Sequence, residues 1–212
     1  MTVSIVAISA RGENVSVAFE IREGEHCQKE SVLLSAAQFA DLGLRCGEST
    51  TEQYDAAKSA SQIRQAVQRG LYLLGYGSCS AYALTRKLVA KGIVREFAEE
   101  AVAELTRRGY LNESVDALRE AERCVAKRWG TKRIAEDLRA KGFSLDSVRA
   151  ALYALEDAEV DWVSLCAERI RARWNEIPSD PKERQRLLAT MSRYGFSTSE
   201  IREAIALVGK DG

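Results

Sequence analysis

Apolar and polar residues alternate near the start of the chain. Val3, Ile5 and Ala7, then Val15, Val17, Phe19 and Ile21, take every second position, with Ser16, Ala18, Glu20 and Arg22 between the latter four. That period predicts half-buried strands within residues 2–34. Arg11-Gly12-Glu13-Asn14 is the natural first turn, and Glu23-Gly24-Glu25 a second one leading into Gln28–Leu34. Ser35 is placed to cap a short helix over Ala36–Leu42 that stops at Gly43. The outcome is a small β-rich module, residues 1–50. Few strands bury little surface alone, so it is expected to pack on the helices that follow. Its boundary falls near residues 47–58, where GESTTEQYDAAKS reads as a loop whose later half begins a helix.

Beyond that point the apolar period changes to that of a helix, and the pattern repeats. TRKLVAKGIV (85–94), RIAEDLRAKGFS (133–144) and LLATMSRYGFS (187–197) align without gaps on Gly92, Gly142 and Gly195. Leu84, Ile134 and Leu187 stand eight residues before these glycines, and Leu88, Leu138 and Met191 four before, on successive turns of one helix face. Ile93, Phe143 and Phe196 follow directly. A second helix then carries Ala98/Val148/Ile201, Ala101/Ala151/Ala204, Val102/Leu152/Ile205 and Leu105/Leu155/Val208 at matched positions. Glycine at the end of each first helix suits the left-handed C′ position at which the chain reverses. A further helix precedes each pair, over about Ala60–Gly75, Ser114–Trp129 and Trp162–Glu176. Asp180-Pro181-Lys182-Glu183 and Ser197-Thr198-Ser199-Glu200 mark helix starts. The expected fold is therefore mostly α: three tandem three-helix repeats, 51–112, 113–160 and 161–212, behind the β-rich module.

Composition narrows the functions open to such a chain. Its 212 residues are 46% hydrophobic and 29% charged, enough for a real core. Residues 1–60 carry 5 Lys/Arg against 9 Asp/Glu, and residues 61–212 carry 26 against 22. A helical part at only +4 lacks the strongly basic footprint of a dedicated DNA binder, so a protein partner is the better expectation. The five cysteines are widely spaced, with no C-x-x-C pair, and no secretory leader or membrane-length apolar run is present. A reduced, cytoplasmic protein is expected.

Candidate chemistry is sparse. The single histidine, His26, adjoins Cys27 in the strand region, where neighbours point to opposite faces. No phosphate-binding loop, dinucleotide fingerprint or nucleophile elbow occurs. Acid pairs such as Glu99-Glu100 and Glu156-Asp157 read as solvated helix faces. Trp129, Trp162 and Trp174, with Tyr72, Tyr76, Tyr82, Tyr110 and Tyr194, read as fillers between helices rather than base-stacking platforms. No catalytic residue, metal site or cofactor is expected, and the chain does not read as an enzyme.

The segments YLLGYGSCSAYALTRKLVAKG (72–92), RRGYLNE (107–113), WGTKRIAEDLRAKGFS (129–144) and RYGFS (193–197) resemble the RecX family in order and spacing, over about residues 60–208. The resemblance implies an elongated, curved array of three-helix units. It also implies binding within the groove of the RecA filament on single-stranded DNA, restraining filament growth, ATP hydrolysis, strand exchange and co-protease activity. Stacked repeats present a long surface suited to bridging successive filament subunits. The basic faces of the middle helices are the expected contacts: Arg86, Lys87 and Lys91 in the first repeat, Lys132, Arg133, Arg139 and Lys141 in the second. The bland alternative is a solvated surface in which Arg133 and Asp137 merely pair one helical turn apart. A monomer is expected, with non-specific single-stranded DNA contact as an accessory. The alternative function is a helix-turn-helix DNA-binding protein. Against it, the helix after Gly92 carries Glu96, Glu99, Glu100 and Glu104, which repel phosphate.

Overall fold

The computed structural model describes residues 1–174 and 176–210. Residue 175, inside the expected Trp162–Glu176 helix, and residues 211 and 212 of the expected third repeat lie outside the described residues. The chain divides into two compact units: Met1–Gly77 with Leu84–Tyr110, and Ser78–Ala83 with the chain from Leu111 onward.

The first unit opens with strands β1 (Thr2–Arg11), β2 (Asn14–Glu23) and β3 (His26–Ser35), then helix α1 (Ala36–Asp41) and strand β4 (Gly47–Ser49). All pairings are antiparallel, in the order β3-β2-β1-β4. The alternation expected on β2 is borne out: Val15, Val17 and Phe19 are buried together with Val32 and Leu34 of β3. On β1 it breaks. The register against β2 slips between Ile5 and Ala7, so Val3 and Ile5 face the core while Ala7 is exposed and Ile8 turns inward instead. One extra residue in a strand shifts every later side chain to the other face, and a bulge cannot be read from alternation alone.

Helix α2 (Thr51–Leu74) starts nine residues before the expected Ala60, and the presumed loop before it contributes β4. The reason is a capping box. Thr50 accepts from the Gln53 amide at 3.1 Å, and the Gln53 side chain accepts from the Thr50 amide at 3.2 Å. The added turns place Tyr54 and Ala57 over the sheet, with the Tyr54 ring edge-on to Phe19 at 5.2 Å. The β-rich module thus does pack on the helix that follows it. This unit also holds most of α3 (Ala81–Ala90) and all of α4 (Arg95–Arg107), which packs on α2.

The second unit contains α5 (Glu113–Ala126), α6 (Thr131–Ala140), α7 (Leu145–Asp157), α8 (Trp162–Arg171), α9 (Pro181–Arg193) and α10 (Thr198–Lys210). Helices α5, α6 and α7 close around one core, and α8, α9 and α10 around another. Two helices are shorter than expected. Helix α5 ends at Ala126 because Arg128 adopts φ 55° and the Trp129 amide folds back to the Cys124 carbonyl at 3.2 Å. Helix α8 ends at Arg171, and the Arg173 amide then returns to the Ile170 carbonyl at 3.0 Å in a tighter turn.

The repeat frame itself holds. Leu84, Leu88, Ile134, Leu138, Leu187 and Met191 are all fully buried. At each reference glycine the same two hydrogen bonds close the turn. The amides of Gly92, Gly142 and Gly195 return to Val89, Arg139 and Ser192 at 2.9 Å. Those of Ile93, Phe143 and Phe196 return to Leu88, Leu138 and Met191 at 3.1–3.3 Å. With φ of 86°, 82° and 91° at the glycines, this is the Schellman motif.

Candidate functional site

The seven basic residues singled out from sequence lie on or just beyond α3 and α6, and the structure separates them into two kinds. Because Leu84 and Leu88 point inward, Arg86 and Lys87 are exposed on the opposite side of α3, and Lys91 is exposed at its C-terminal turn. On α6, Ile134 and Leu138 are inward, which leaves Lys132 and Arg139 exposed, two turns apart on one side of the helix. Neither has a side-chain partner among the described residues.

Arg133 and Lys141 are held. The Arg133 guanidinium lies 4.2 Å from the centre of the Trp129 ring and 5.1 Å from that of Tyr194, and reaches the Arg193 carbonyl at 3.5 Å. The Arg133–Asp137 pair of the bland alternative therefore does not form. Asp137 instead accepts from the Lys141 ammonium at 2.6 Å, and Glu120 accepts from the same ammonium at 2.5 Å. Burial opposes the charge on Glu120, but the contacts with Lys141 and Arg123 outweigh it and hold the carboxyl below its usual range. Burial likewise opposes the Lys141 charge, and its two carboxylates outweigh that and raise its pKa.

The Cys124 sulfur, Glu120 and Asp137 offer ligand atoms within 4.8 Å of one another. The Lys141 ammonium already bonds both carboxylates, which is the place a cation would take. Burial also pushes the Cys124 thiol up to about 11 and the Cys166 thiol to about 12, so both stay protonated at neutral pH and are poor ligands and nucleophiles.

Around Arg133 the structure gathers residues that sequence reasoning passed over. Arg169 sits 3.5 Å from the Tyr194 ring centre and donates to the Lys127 carbonyl at 3.0 Å, while Arg128 pairs with Glu168 at 2.6 Å. Hydrogen bonding to Arg169, and the positive field of Arg169, Arg133 and Arg173, hold the Tyr194 phenol below its usual range. A cavity of about 300 Å3 is lined by Arg128, Arg169, Arg173, Ala172, Met191 and Tyr194. The signal available in sequence was the placement of Trp129 beside Gly130 and of Tyr194 beside the reference glycine Gly195. Those two aromatics, with Trp162 and Trp174, do pack against the helical cores. Tyr72, Tyr76, Tyr82 and Tyr110 do not fit the filler expectation: each is 58–75% exposed.

The cluster marks a joint between successive helical cores. The Gly130 amide donates to the Tyr194 carbonyl at 2.8 Å and the Lys132 amide to the Gly195 carbonyl at 3.2 Å. A Cβ on Gly130 would lie 2.4 Å from the Gly195 backbone, so only glycine allows this approach. The same kind of joint recurs in this unit at the start of α3, where the Ser80 hydroxyl donates to the Lys141 carbonyl at 2.8 Å and Tyr82 lies over Gly142.

Among known proteins, a regulatory protein RecX of Xanthomonas axonopodis pv. citri is 31% identical over 156 residues, covering 72% of this chain and 94% of its own length. The chain belongs to the RecX family. RecX from Stenotrophomonas maltophilia strain K279a is 36% identical over 143 residues, 65% of this chain and 83% of that one. In fold, the chain is similar to a crystal structure of regulatory protein RecX, with TM-score 0.73 and 19% identity over 99% of this chain and 100% of that one. RecX from Lactobacillus salivarius matches at TM-score 0.60 and 20% identity, over 70% and 97%. No protein-family model matches. RecX is a family of regulatory proteins, and the mostly helical fold of this chain, N-terminal sheet included, is similar along its length to one RecX crystal structure. Among the described residues no helix is long and apolar enough to cross a membrane.

Proposed function

We propose that this RecX-family chain regulates the RecA recombinase by binding, as a cytoplasmic monomer, in the groove of the RecA filament on single-stranded DNA. Bound there it restrains filament growth, ATP hydrolysis, strand exchange and co-protease activity. Family membership, resting on 31% identity across 94% of the Xanthomonas relative, is the observation that carries regulation of RecA.

In this reading the β-rich segment 1–50 and the repeats 51–112, 113–160 and 161–212 are the working modules. The basic faces carrying Arg86, Lys87, Lys91, Lys132, Arg133, Arg139 and Lys141 meet RecA. Within the second set, Lys132 and Arg139 make the contacts, because their charges are uncommitted. Arg133 and Lys141 act mainly by holding the surface in shape, since each is tied to neighbours. The arginines around Tyr194 supply accessory, non-specific contact to the single strand.

The test is binding of the labelled full chain to RecA–DNA filaments and to the same single-stranded DNA without RecA, each at low and moderate salt. Tighter binding to the filament at both salts supports the reading. Equal or tighter binding to bare DNA, lost steeply with salt, overturns it in favour of the helix-turn-helix alternative.

A further inference from the structure

Two of the three turns at the reference glycines receive the first turn of another helix. At Gly142 the visitor is the start of α3, with Ser80 donating to the Lys141 carbonyl. At Gly195 it is the start of α6, with the Gly130 and Lys132 amides donating to Tyr194 and Gly195. The geometry is shared: a small first residue, a donor on it, and the carbonyls of the reference glycine or the residue before it. The third turn, at Gly92, has the same backbone and hydrogen bonds, yet among the described residues nothing lies within 4 Å of where its Cβ would be. No hydrogen bond to the Lys91 or Gly92 carbonyl is made by the described residues.

This turn also differs from its counterparts in side chains. Two residues past the glycine, Ser144 and Ser197 cap their helices, but the first repeat has Val94, 55% exposed and with no side-chain cap. An exposed valine where serine would satisfy the helix amides suits a covered surface better than a solvated one.

We infer that the Gly92 turn is a docking site for the first turn of a helix in the protein partner, making the joint seen twice within this chain. The helix has serine or glycine at its cap, to donate through a hydroxyl as Ser80 does or through amides as Gly130 and Lys132 do. A second copy of this chain does not supply it. Its Ser80 and Gly130 are engaged in joints, and counting twelve residues back from Gly195 reaches Glu183, inside α9. That helix begins earlier, at Pro181 capped by Asp180, so its extra turn covers the equivalent docking position. The inference rests on the reading that RecA is the partner.

A benzophenone side chain placed at position 94 of the full chain, irradiated with RecA filaments, is expected to cross-link to the first turn of a RecA helix that starts at serine or glycine. Val94→Trp is expected to raise the amount needed for half-inhibition of RecA ATP hydrolysis about tenfold, with an unchanged thermal melt. Val94→Glu serves if that variant does not fold. Cross-links elsewhere, or full inhibition by a folded position-94 variant, overturn the docking site while leaving RecA regulation standing. Absence of any RecA binding by the unmodified chain overturns both.

Discussion

Helices α6 and α9 take equivalent places in consecutive repeats, yet one has ten residues and the other thirteen. The shorter is capped by Gly130, which lets it seat directly on the Gly195 turn. The longer begins with Asp180 capping Pro181, a start with fewer amides to give. Their cores differ as well. Around α6 the apolar residues sit beside the Lys141–Glu120–Asp137 ion cluster, whereas around α9 Leu187, Met191 and Phe196 are buried among apolar neighbours. One helical frame thus starts in two ways, seated on another turn or capped by its own side chain, and the difference lies in a few residues at its first turn.

The sharpest way to break this comparison is to give two equivalent glycines the same substitution. Gly195→Ala and Gly92→Ala incur the same backbone strain, about 1–2 kcal/mol, because both have positive φ. At Gly195 the new Cβ would also meet the Arg133 amide nitrogen at 2.4 Å, adding about 1–3 kcal/mol of overpacking. Urea melts should therefore show a clearly larger loss for Gly195→Ala; equal losses would mean the joint contributes nothing.

Next in size is Lys141→Met, expected to cost about 1–2 kcal/mol at pH 7 after discounting for partial exposure. Its pH dependence is the more telling readout. In the parent, Glu120 has a lowered pKa, so its stabilisation is present above the unfolded carboxylate value and fades as pH falls through the lower folded value. Without the ammonium, burial is expected to raise the Glu120 pKa, so the deficit of the variant should shrink as pH falls from 7 toward 4. A constant deficit across that range would argue against the ion cluster. The smallest effect is a gain: Glu159 sits at φ 50° at the end of α7, and Glu159→Gly should stabilise by about 0.5–1 kcal/mol in the same melts.

Much of this fold was legible because repetition supplies its own control. Leu84, Ile134 and Leu187 agreed with one another in the sequence, and all three are buried. What escaped was local and non-periodic: a bulge after Ile5 that turned Ile8 inward, and a Thr50–Gln53 capping box inside an apparently polar loop. The candidate surface was legible only as charge. Sequence spacing offers Asp137 both Arg133 and Lys141 as partners one turn away, and nothing in it reveals that Trp129 and Tyr194 capture Arg133. The joint needs residues sixty positions apart to meet, which no local pattern encodes.

The most direct measurement is single-stranded-DNA-dependent ATP hydrolysis by RecA, titrated with the full chain and with a variant carrying Lys132→Glu and Arg139→Glu. Inhibition by the parent at amounts below those that coat the DNA, weakened in a variant whose melt is unchanged, is the result this account requires. No inhibition by the parent would contradict regulation of RecA, and full inhibition by the folded variant would remove Lys132 and Arg139 from the interface.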